Sequence, residues 1–295
     1  MRVFLTGATG FIGSAIIPEL LSAGHQVVGL ARSDAAEEKL KSLGVDVLRG
    51  SLDDLDVLKR GATESDGVIH CAFIHDFSDF ATSVKKDRIA VEAIGAALEG
   101  TNRPFIVTTG TLGLVQGKLA VEQDLGDLTS PLSARNLTEG VTLAFASKGV
   151  RATVIRLAPV IHGKGDHAFV PALIGIARQK GVSAYIGSGD NHWPSAHRLD
   201  IARLYRLILE KGKAGSRYHG VSDDLTPIRN IAEVIGKSLN IPVVSKTPQE
   251  APEHFGFLGH LLGIDNLVSS KHTQEELGWN LVQPSLLLDV EKNYF

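Results

Sequence analysis

The chain has 295 residues, of which 43% are hydrophobic, and such a chain can bury one large core or two closely joined domains. The formal net charge is −3 and no long basic run occurs, so the composition disfavours binding to nucleic acid or to an anionic membrane surface. No apolar run is long enough to span a bilayer, and the single cysteine, Cys71, cannot form an internal disulfide. We therefore expect a cytoplasmic protein without a signal or transit peptide.

Strand and helix patterns alternate along the first 160 residues. The runs that predict strands are 2–6, Gln26–Ala31, Asp46–Leu48, Gly67–Phe73, Pro104–Thr109 and Ala152–Leu157. The helical patterns between them lie at about 11–23, 34–43, 54–64, 80–99 and 133–148. Because nearly continuous apolar strands alternate with helices, the pattern predicts a parallel sheet that is covered on both faces.

The pattern changes after residue 160. Glycine, histidine and proline are frequent in 161–197, and the later elements are predicted at 169–179 (helix), 196–199 (strand), 200–210 (helix), 217–221 (strand), 227–239 (helix) and 242–245 (strand). We predict a dinucleotide-binding domain formed by 1–160 and about 195–212. A smaller, discontinuous substrate-binding domain is predicted for about 161–194 and 213–295.

Three glycines spaced three apart follow the first strand directly. In this arrangement Gly7 permits a tight turn, Gly10 lets the backbone approach a pyrophosphate, and Gly13 lets the next helix pack closely on the strand. The free N–H groups and the positive dipole end of that helix then face the phosphates. We predict that a dinucleotide contacts Gly7, Thr9, Gly10, Phe11, Ile12 and Gly13.

Several segments of the chain resemble the extended short-chain dehydrogenase/reductase family. They are Thr6–Gly13, Phe105–Gly110, Arg156–Val160 with Gly163, and His197–Ala202, and Ile174–His219 is similar to an atypical branch of NAD-dependent epimerase/dehydratase-like oxidoreductases. The resemblance covers nearly the whole chain. It implies an α/β, doubly wound Rossmann fold with about seven parallel strands and a smaller C-terminal substrate domain. It also implies an NAD(P)(H)-dependent reaction on a carbonyl or an alcohol.

The end of the second predicted strand favours NADP(H) over NAD(H). In Rossmann folds an acid about 20 residues after the glycines binds the adenosine ribose of NAD, whereas an arginine accommodates the phosphate of NADP. Ala31 stands where the acid is expected, and Arg32 and Ser33 offer donors that suit a phosphate. In the alternative interpretation, Arg32 is a solvated charge and Asp34 binds the ribose.

The family resemblance implies further cofactor contacts. Ser51 and Leu52 stand where the family has Asp-Leu beside the adenine, and the serine is a departure from that pattern. The other implied contacts are at the ends of the fourth, fifth and sixth strands, at Ala72, Phe73, Thr108 and Pro159.

The Tyr-x-x-x-Lys pair of the family is missing from this chain. None of the four tyrosines precedes residue 185, and none has a lysine four places on. At the expected positions stand Arg135 and Glu139. Arginine cannot donate a proton, since its pKa lies above ~12, but its charge can stabilise a developing alkoxide. Glu139 would hold Arg135 or bind the ribose, and the alternative is an exposed ion pair without a catalytic role.

Other side chains are candidates for orienting or protonating a substrate. Thr109 and Thr111 lie where the family places a substrate-orienting hydroxyl. His162 follows the sixth strand and titrates near neutral pH, and Tyr185 reaches the crevice from the smaller domain. The alternative for His162 is a packing role. No spacing typical of metal ligands is visible, so we predict no metal site.

The main hypothesis is therefore an NADP(H)-dependent reductase of a small aldehyde or ketone, with a non-standard proton donor. One alternative is a sugar-nucleotide epimerase or dehydratase, although the base that such reactions need is missing. The other alternative is a catalytically silent, NADP-sensing regulator. The expected partner is a small carbonyl compound, and the expected state is a monomer or a homodimer.

Overall fold

Strands and helices alternate through the structure, a computed structural model that describes residues 1–76, 79–126, 134–222 and 224–295. The strands are β1 (Arg2–Thr6), β2 (Gln26–Ala31), β3 (Asp46–Arg49), β4 (Gly67–His70), β5 (Pro104–Gly110), β6 (Arg151–Leu157), β7 (Val160–His162), β8 (Ser183–Ile186), β9 (His192–Trp193), β10 (Ser195–His197), β11 (Arg217–Gly220), β12 (Thr226–Pro227) and β13 (Val243–Lys246). The helices are α1 (Gly13–Ser22), α2 (Asp34–Ser42), α3 (Leu55–Thr63), α4 (Phe80–Ala97), α5 (Ala134–Ala144), α6 (Phe169–Lys180), α7 (Arg198–Lys211), α8 (Ile228–Leu239), α9 (Ala251–Phe255), α10 (Lys271–Leu277) and α11 (Leu286–Asn293).

One sheet contains seven parallel strands in the order β11-β6-β5-β4-β1-β2-β3. Thr6 at the end of β1 pairs with His70 at the end of β4, so the two carboxyl ends meet at the same level. The strand order reverses between β1 and β4, and ligands bind at this point in open α/β sheets. The predicted doubly wound Rossmann fold is confirmed.

The two faces of this sheet form separate cores, because successive side chains of a strand point to opposite faces. Val3 and Leu5 of β1 pack in a cluster with α1 and α7. Phe4 lies on the other face, in a cluster with α3 and α4. These helices therefore fix the level at which the strand ends and the glycine-rich turn begins.

A third apolar cluster lies in the smaller domain. It is formed by α6, β8, α8, α9 and α11, with Ile174, Ile235 and Phe255 among its buried residues. The expected domain boundary is wrong at two places. Strand β11 pairs with β6 in the large sheet, and α10 contacts α7 and β11, although both elements lie in the range 213–295.

Other element boundaries differ from the sequence prediction for local reasons. The fourth strand ends at His70 because the backbone N–H of Ala72 turns to the Thr6 hydroxyl. The strand predicted for 196–199 ends at His197, whose imidazole accepts the N–H of Leu199 and so begins α7. The helix predicted for 133–148 continues after Ala144 as a 3-10 helix, and Ser133 lies outside the described residues. Helices α9, α10 and α11 were not predicted.

The described helices include none that combines the length and the apolarity needed to cross a membrane.

We expect Gly13→Ala to lower the free energy of unfolding by about 1–3 kcal/mol, the usual cost of overpacking. A Cβ on Gly13 would lie 2.1 Å from the carbonyl oxygen of Gly7, so the turn or α1 must move. The matched control is Gly175→Ala, at an exposed position in the middle of α6 where a Cβ would meet no neighbouring atom. This substitution should raise the free energy of unfolding by about 0.5–1 kcal/mol. Urea denaturation measures both, and equal shifts in the two variants would contradict the proposed close contact.

Candidate dinucleotide and substrate site

A glycine stands at each of the three positions of the first turn for a different structural reason. Gly7 has φ +70°, and a Cβ there would lie 2.8 Å from the backbone nitrogen of Ala72. Gly13 is required by its contact with the carbonyl of Gly7. Gly10 is exposed, and a Cβ on it would meet only the Gly7 carbonyl oxygen, at 3.2 Å. Gly7 and Gly13 are thus needed by the fold, whereas Gly10 keeps the outer side of the turn free for a ligand.

The start of α1 suits an anion. Its N-cap residue, Ile12, gives no side-chain hydrogen bond, and no acidic side chain lies in the first turn. The N–H groups and the positive dipole end are therefore not neutralised by the helix itself. Lys39 donates to the carbonyl oxygen of Thr9 at 3.1 Å and brings a further cation to the turn. These residues fit the pyrophosphate of a dinucleotide.

Two residues near the ends of β2 and β3, Arg32 and Asp34, are the alternative contacts for the adenosine ribose and its phosphate, and they differ in their ion pairs. Asp34 pairs with Arg49 at 3.0 Å, so its carboxylate already has a cation as partner. Arg32 is exposed, and no carboxylate in the described part of the chain forms an ion pair with it. The arginine is therefore the more available group for a ligand.

Two predicted serine contacts have local roles in the fold. The Ser33 hydroxyl oxygen accepts the N–H of Ala36 at 3.3 Å and caps α2, which leaves its O–H free to donate. The Ser51 hydroxyl donates to Asp54 at 2.8 Å, and Leu52 packs against the core on that face. Ser51 thus has its hydrogen committed to Asp54.

A chain of buried hydrogen bonds connects the glycine-rich turn to the substrate side. The carboxylate of Asp87 can only accept, so Nε2 of His70 carries a proton and donates to it at 3.2 Å. Nδ1 of a neutral His70 then accepts from the Thr6 hydroxyl at 3.0 Å, and the Thr6 oxygen accepts the N–H of Ala72 at 3.2 Å. The other carboxylate oxygen of Asp87 lies 3.9 Å from Nη2 of Arg135.

Arg135 lies at the carboxyl ends of β4 and β5. It donates to the carbonyl oxygen of Thr108, and its guanidinium stacks on the ring of Phe73 at 4.0 Å. Its Nε is buried and has no partner among the described residues. Burial lowers the pKa of Arg135, and the nearby carboxylate of Asp87 opposes this shift. The ring of Phe73 also contacts His75, a residue that the sequence reasoning missed, and burial lowers the pKa of His75.

Tyr205 of α7 is a second residue that the sequence reasoning missed. Its hydroxyl lies 2.7 Å from the Thr108 hydroxyl, which itself donates to the carbonyl oxygen of His70 at 2.8 Å. Tyr205 therefore donates to Thr108, and burial raises the pKa of the phenol well above its usual value. The helical spacing of α7 predicts that Tyr205 is buried, but it gives no sign of this contact with Thr108.

The two candidate threonines after Thr108 differ in their surroundings. Thr111 donates to the side chain of Asn266 at 2.7 Å and accordingly ties β5 to the C-terminal part of the chain. The hydroxyl of Thr109 is buried and has no hydrogen-bond partner among the described residues. Buried hydroxyls without a partner are rare in proteins, so Thr109 is the better candidate for binding a substrate oxygen.

The prediction that Glu139 holds Arg135 is wrong. The carboxylate of Glu139 is buried and accepts two hydrogen bonds from Arg156, at 2.6 and 2.8 Å, and a third from Arg217. These two arginines lower the pKa of Glu139 against the effect of burial. The alternative of an exposed ion pair is also wrong, because Glu139 is only 3% exposed.

His162 lies in a buried cluster with Asp289 and His197, and is only 1% exposed. Its Nδ1 donates to Asp289 at 2.7 Å, while burial lowers its pKa. Nδ1 of His197 accepts the N–H of Leu199, so the proton of a neutral His197 is on Nε2 and leaves no lone pair for a metal. The geometry favours a hydrogen-bonded network that joins α11 to β7, which is the packing role considered for His162.

The two remaining predicted residues lie in different places. Pro159 follows β6 at the carboxyl edge of the large sheet, as expected. Tyr185 lies in β8, where its ring contacts the guanidinium of Arg229 and closely approaches Gly189. These contacts place Tyr185 within the smaller domain, and the structure does not bring it to Thr109 or Arg135.

We expect stability to fall as the pH decreases from about 6.5 to 4, because His219 must stay neutral in the folded chain. Its Nδ1 donates to the carbonyl of Ser269 at 2.8 Å, its Nε2 accepts from Arg156 at 3.2 Å, and burial lowers its pKa to about 4. In this range the unfolded chain binds the extra proton and the folded chain does not.

Urea denaturation at several pH values should therefore give a steeper loss of stability for the wild type than for His219→Gln. Other buried histidines contribute to both proteins and cancel in the comparison. Parallel pH curves would contradict the neutral state of His219.

Three comparisons with known proteins are informative. An uncharacterized protein of Schizosaccharomyces pombe is 51% identical over 296 residues and aligns with 100% of both chains. A 2-alkyl-3-oxoalkanoate reductase of Stenotrophomonas maltophilia is 26% identical over 260 residues, which are 83% of this chain and 78% of the relative. The chain also resembles the solved structure of a dTDP-glucose 4,6-dehydratase from Bacillus anthracis in complex with NAD, with a TM-score of 0.76 and 16% sequence identity. The superposition covers 99% of this chain and 97% of the dehydratase chain.

The structural likeness shows a shared fold, and in that neighbour the fold binds NAD. A model of the NAD dependent epimerase/dehydratase family matches residues 3–221, which include the whole glycine-rich turn and all seven strands of the large sheet except Arg2, the first residue of β1. The chain belongs to the NAD dependent epimerase/dehydratase family and is an oxidoreductase-type enzyme.

Proposed function

We propose that this protein is an NADP(H)-dependent oxidoreductase that reduces the carbonyl group of a small aldehyde or ketone. The observation that carries the proposal is the cation Arg135, which stands where the family has its tyrosine and is fixed at the end of β5. Arg135 donates to the carbonyl oxygen of Thr108, and the next residue in the chain is Thr109. The buried hydroxyl of Thr109 has no partner in the described part of the structure. A fixed cation and a free hydroxyl suit an oxygen atom that becomes negatively charged.

NADP(H) is favoured by the charges around the ribose site. Arg32 has no carboxylate partner in the described residues, whereas Asp34 is engaged by Arg49. When bound, the reduced nicotinamide would supply a hydride, which is one proton with two electrons, to the carbonyl carbon.

The residues of the chain act on the carbonyl oxygen. Thr109 donates a hydrogen bond to this oxygen and orients the carbonyl. As the C=O double bond becomes a single bond, its electron pair moves to the oxygen, and the charge of Arg135 stabilises the resulting alkoxide. The alkoxide takes up one proton from solvent, because an arginine does not release its proton near neutral pH.

This arrangement favours reduction of a carbonyl over a reaction that begins with oxidation of an alcohol. Oxidation needs a base that removes the hydroxyl proton, and Arg135 cannot accept a proton. Reactive aldehydes need less acid assistance than ketones and are therefore the preferred substrates. The reductase from Stenotrophomonas maltophilia is named for a 3-oxoalkanoate, which is a ketone, and supports reduction of a carbonyl group.

The test is NADPH consumption across a panel of aldehydes and ketones. We expect turnover by the wild type, and a decrease in kcat of about 10²–10³-fold in Arg135→Met and in Thr109→Val, typical for the loss of an oxyanion-stabilising donor. NADPH affinity should change less than about twofold, since both side chains act on the substrate oxygen. The matched control is Arg178→Met, which removes an exposed arginine of α6.

Two outcomes would contradict the proposal. Tight NADPH binding without turnover of any panel member would favour a cofactor-sensing regulator. Interconversion of nucleotide sugars without carbonyl reduction would favour an epimerase or dehydratase.

A separate prediction concerns the choice of cofactor. Arg32→Ala should weaken NADPH binding by about 10–100-fold, the value of one or two hydrogen bonds between charged groups, and leave NADH binding unchanged. Isothermal titration calorimetry measures both affinities, with Arg178→Ala as the control of equal charge. An unchanged ratio of the NADPH and NADH affinities would reject the role of Arg32.

A further inference from the structure

A second segment of the chain lies beside the glycine-rich turn. It is the loop 163–168, between β7 and α6. Its His167 contacts the ring of Phe11 edge-on, with 5.8 Å between the ring centroids. The guanidinium of Arg198, the first residue of α7, lies over the same ring at 4.5 Å. Phe11 is part of the turn itself, so both side chains are next to the predicted cofactor contacts.

Arg198 links this loop to α1. Its Nη1 donates to the carbonyl oxygen of Lys164 at 2.6 Å, and its Nη2 donates to the Ser14 hydroxyl at 2.9 Å. Gly163 has φ +128°, and a Cβ there would lie 2.8 Å from Nε2 of His197 and 3.0 Å from Cγ of Arg198. The loop therefore needs a glycine at 163 in order to pass Arg198, and Ser14 places the guanidinium at the first turn of α1.

The charge of Arg198 is not balanced by the chain. Both of its hydrogen bonds are to neutral oxygens, and no carboxylate in the described ranges forms an ion pair with it. Its Nε is buried and has no partner among these residues. The nearest helix end is the N-terminus of α1, which is itself positive. A half-buried cation beside a positive helix end is unfavourable unless an anion binds to both.

We propose that Arg198 binds the pyrophosphate of the dinucleotide, together with the N–H groups at the start of α1. This inference rests on the dinucleotide binding in the proposed function, and not on the carbonyl reduction. Arg198 would hold the pyrophosphate from the α7 side, and the loop 163–168 would cover the first turn of α1. Arginine suits this role because its planar group donates two parallel hydrogen bonds to phosphate oxygens.

The test compares two ligands by isothermal titration calorimetry. NADPH contains the pyrophosphate, whereas adenosine 2′-monophosphate has the adenosine and the 2′-phosphate without it. In Arg198→Met the NADPH dissociation constant should rise about 10–100-fold, the effect of losing a charge-assisted pair of hydrogen bonds. The dissociation constant of adenosine 2′-monophosphate should change less than about twofold. Arg32→Ala should weaken both ligands, and Arg178→Met should weaken neither.

Unchanged NADPH affinity in Arg198→Met would overturn the proposal, and so would an equal loss for both ligands. If the methionine variant does not fold, Arg198→Lys keeps the charge but loses the paired donors. It should then bind NADPH about 3–10-fold more weakly with no change for adenosine 2′-monophosphate, and unchanged NADPH affinity would again overturn the role. If the wild type prefers NADH, the NADP assignment fails by itself, and NADH and adenosine replace the two ligands in the same comparison.

Discussion

The close contact between the glycine-rich turn and the end of β4 determines the geometry of the whole site. There is no space for a side chain at Gly7, because the backbone of Ala72 lies where its Cβ would be. This contact brings the N–H of Ala72 to the hydroxyl of Thr6, which is hydrogen-bonded to His70, and His70 in turn donates to Asp87. The cofactor turn and the cation on the substrate side are therefore parts of one buried polar network.

The network also explains why an arginine is stable at position 135. A buried guanidinium needs hydrogen-bond acceptors and a negative charge nearby. The carbonyl of Thr108 provides the acceptor, and Asp87 provides a charge that it shares with His70. Nε is buried and has no partner in the described residues, so the hydrogen bonds of this cation are not all satisfied within the described part of the chain. A lysine at this position would lack the planar group that stacks on Phe73.

The sequence predicted those features that depend on neighbouring residues in the chain. The glycine-rich turn, the strands of the parallel sheet and the position of Arg135 are set by local spacing and periodicity. The sequence reasoning failed where a side chain meets a distant partner. Glu139 bonds Arg217, 78 positions away, and His162 bonds Asp289, 127 positions away. The contact of Tyr205 with Thr108 spans 97 positions. Such pairings follow from packing of the tertiary structure, which single-sequence patterns do not specify.

The arginines of the proposed site differ from Arg156 in how their charge is balanced. Arg156 is fully buried and binds both oxygens of Glu139, so removing it from water is offset within the fold. Arg32 and Arg198 have no carboxylate partner in the part of the chain that the structure describes, and Arg135 has only a shared one. Uncompensated cations stabilise a bound anion more than the free protein.

These three cations lie at three successive parts of the proposed binding path. Arg32 follows β2, where a 2′-phosphate would bind. Arg198 lies at the start of α1, where a pyrophosphate would bind, and Arg135 lies at the end of β5, where a carbonyl oxygen becomes an alkoxide. In the proposed complex, each position would pair one cation with one anionic group. The tyrosine of the family would add a proton at the last position, whereas the arginine adds a charge, and this exchange favours carbonyl groups that need stabilisation of the oxyanion more than an acid.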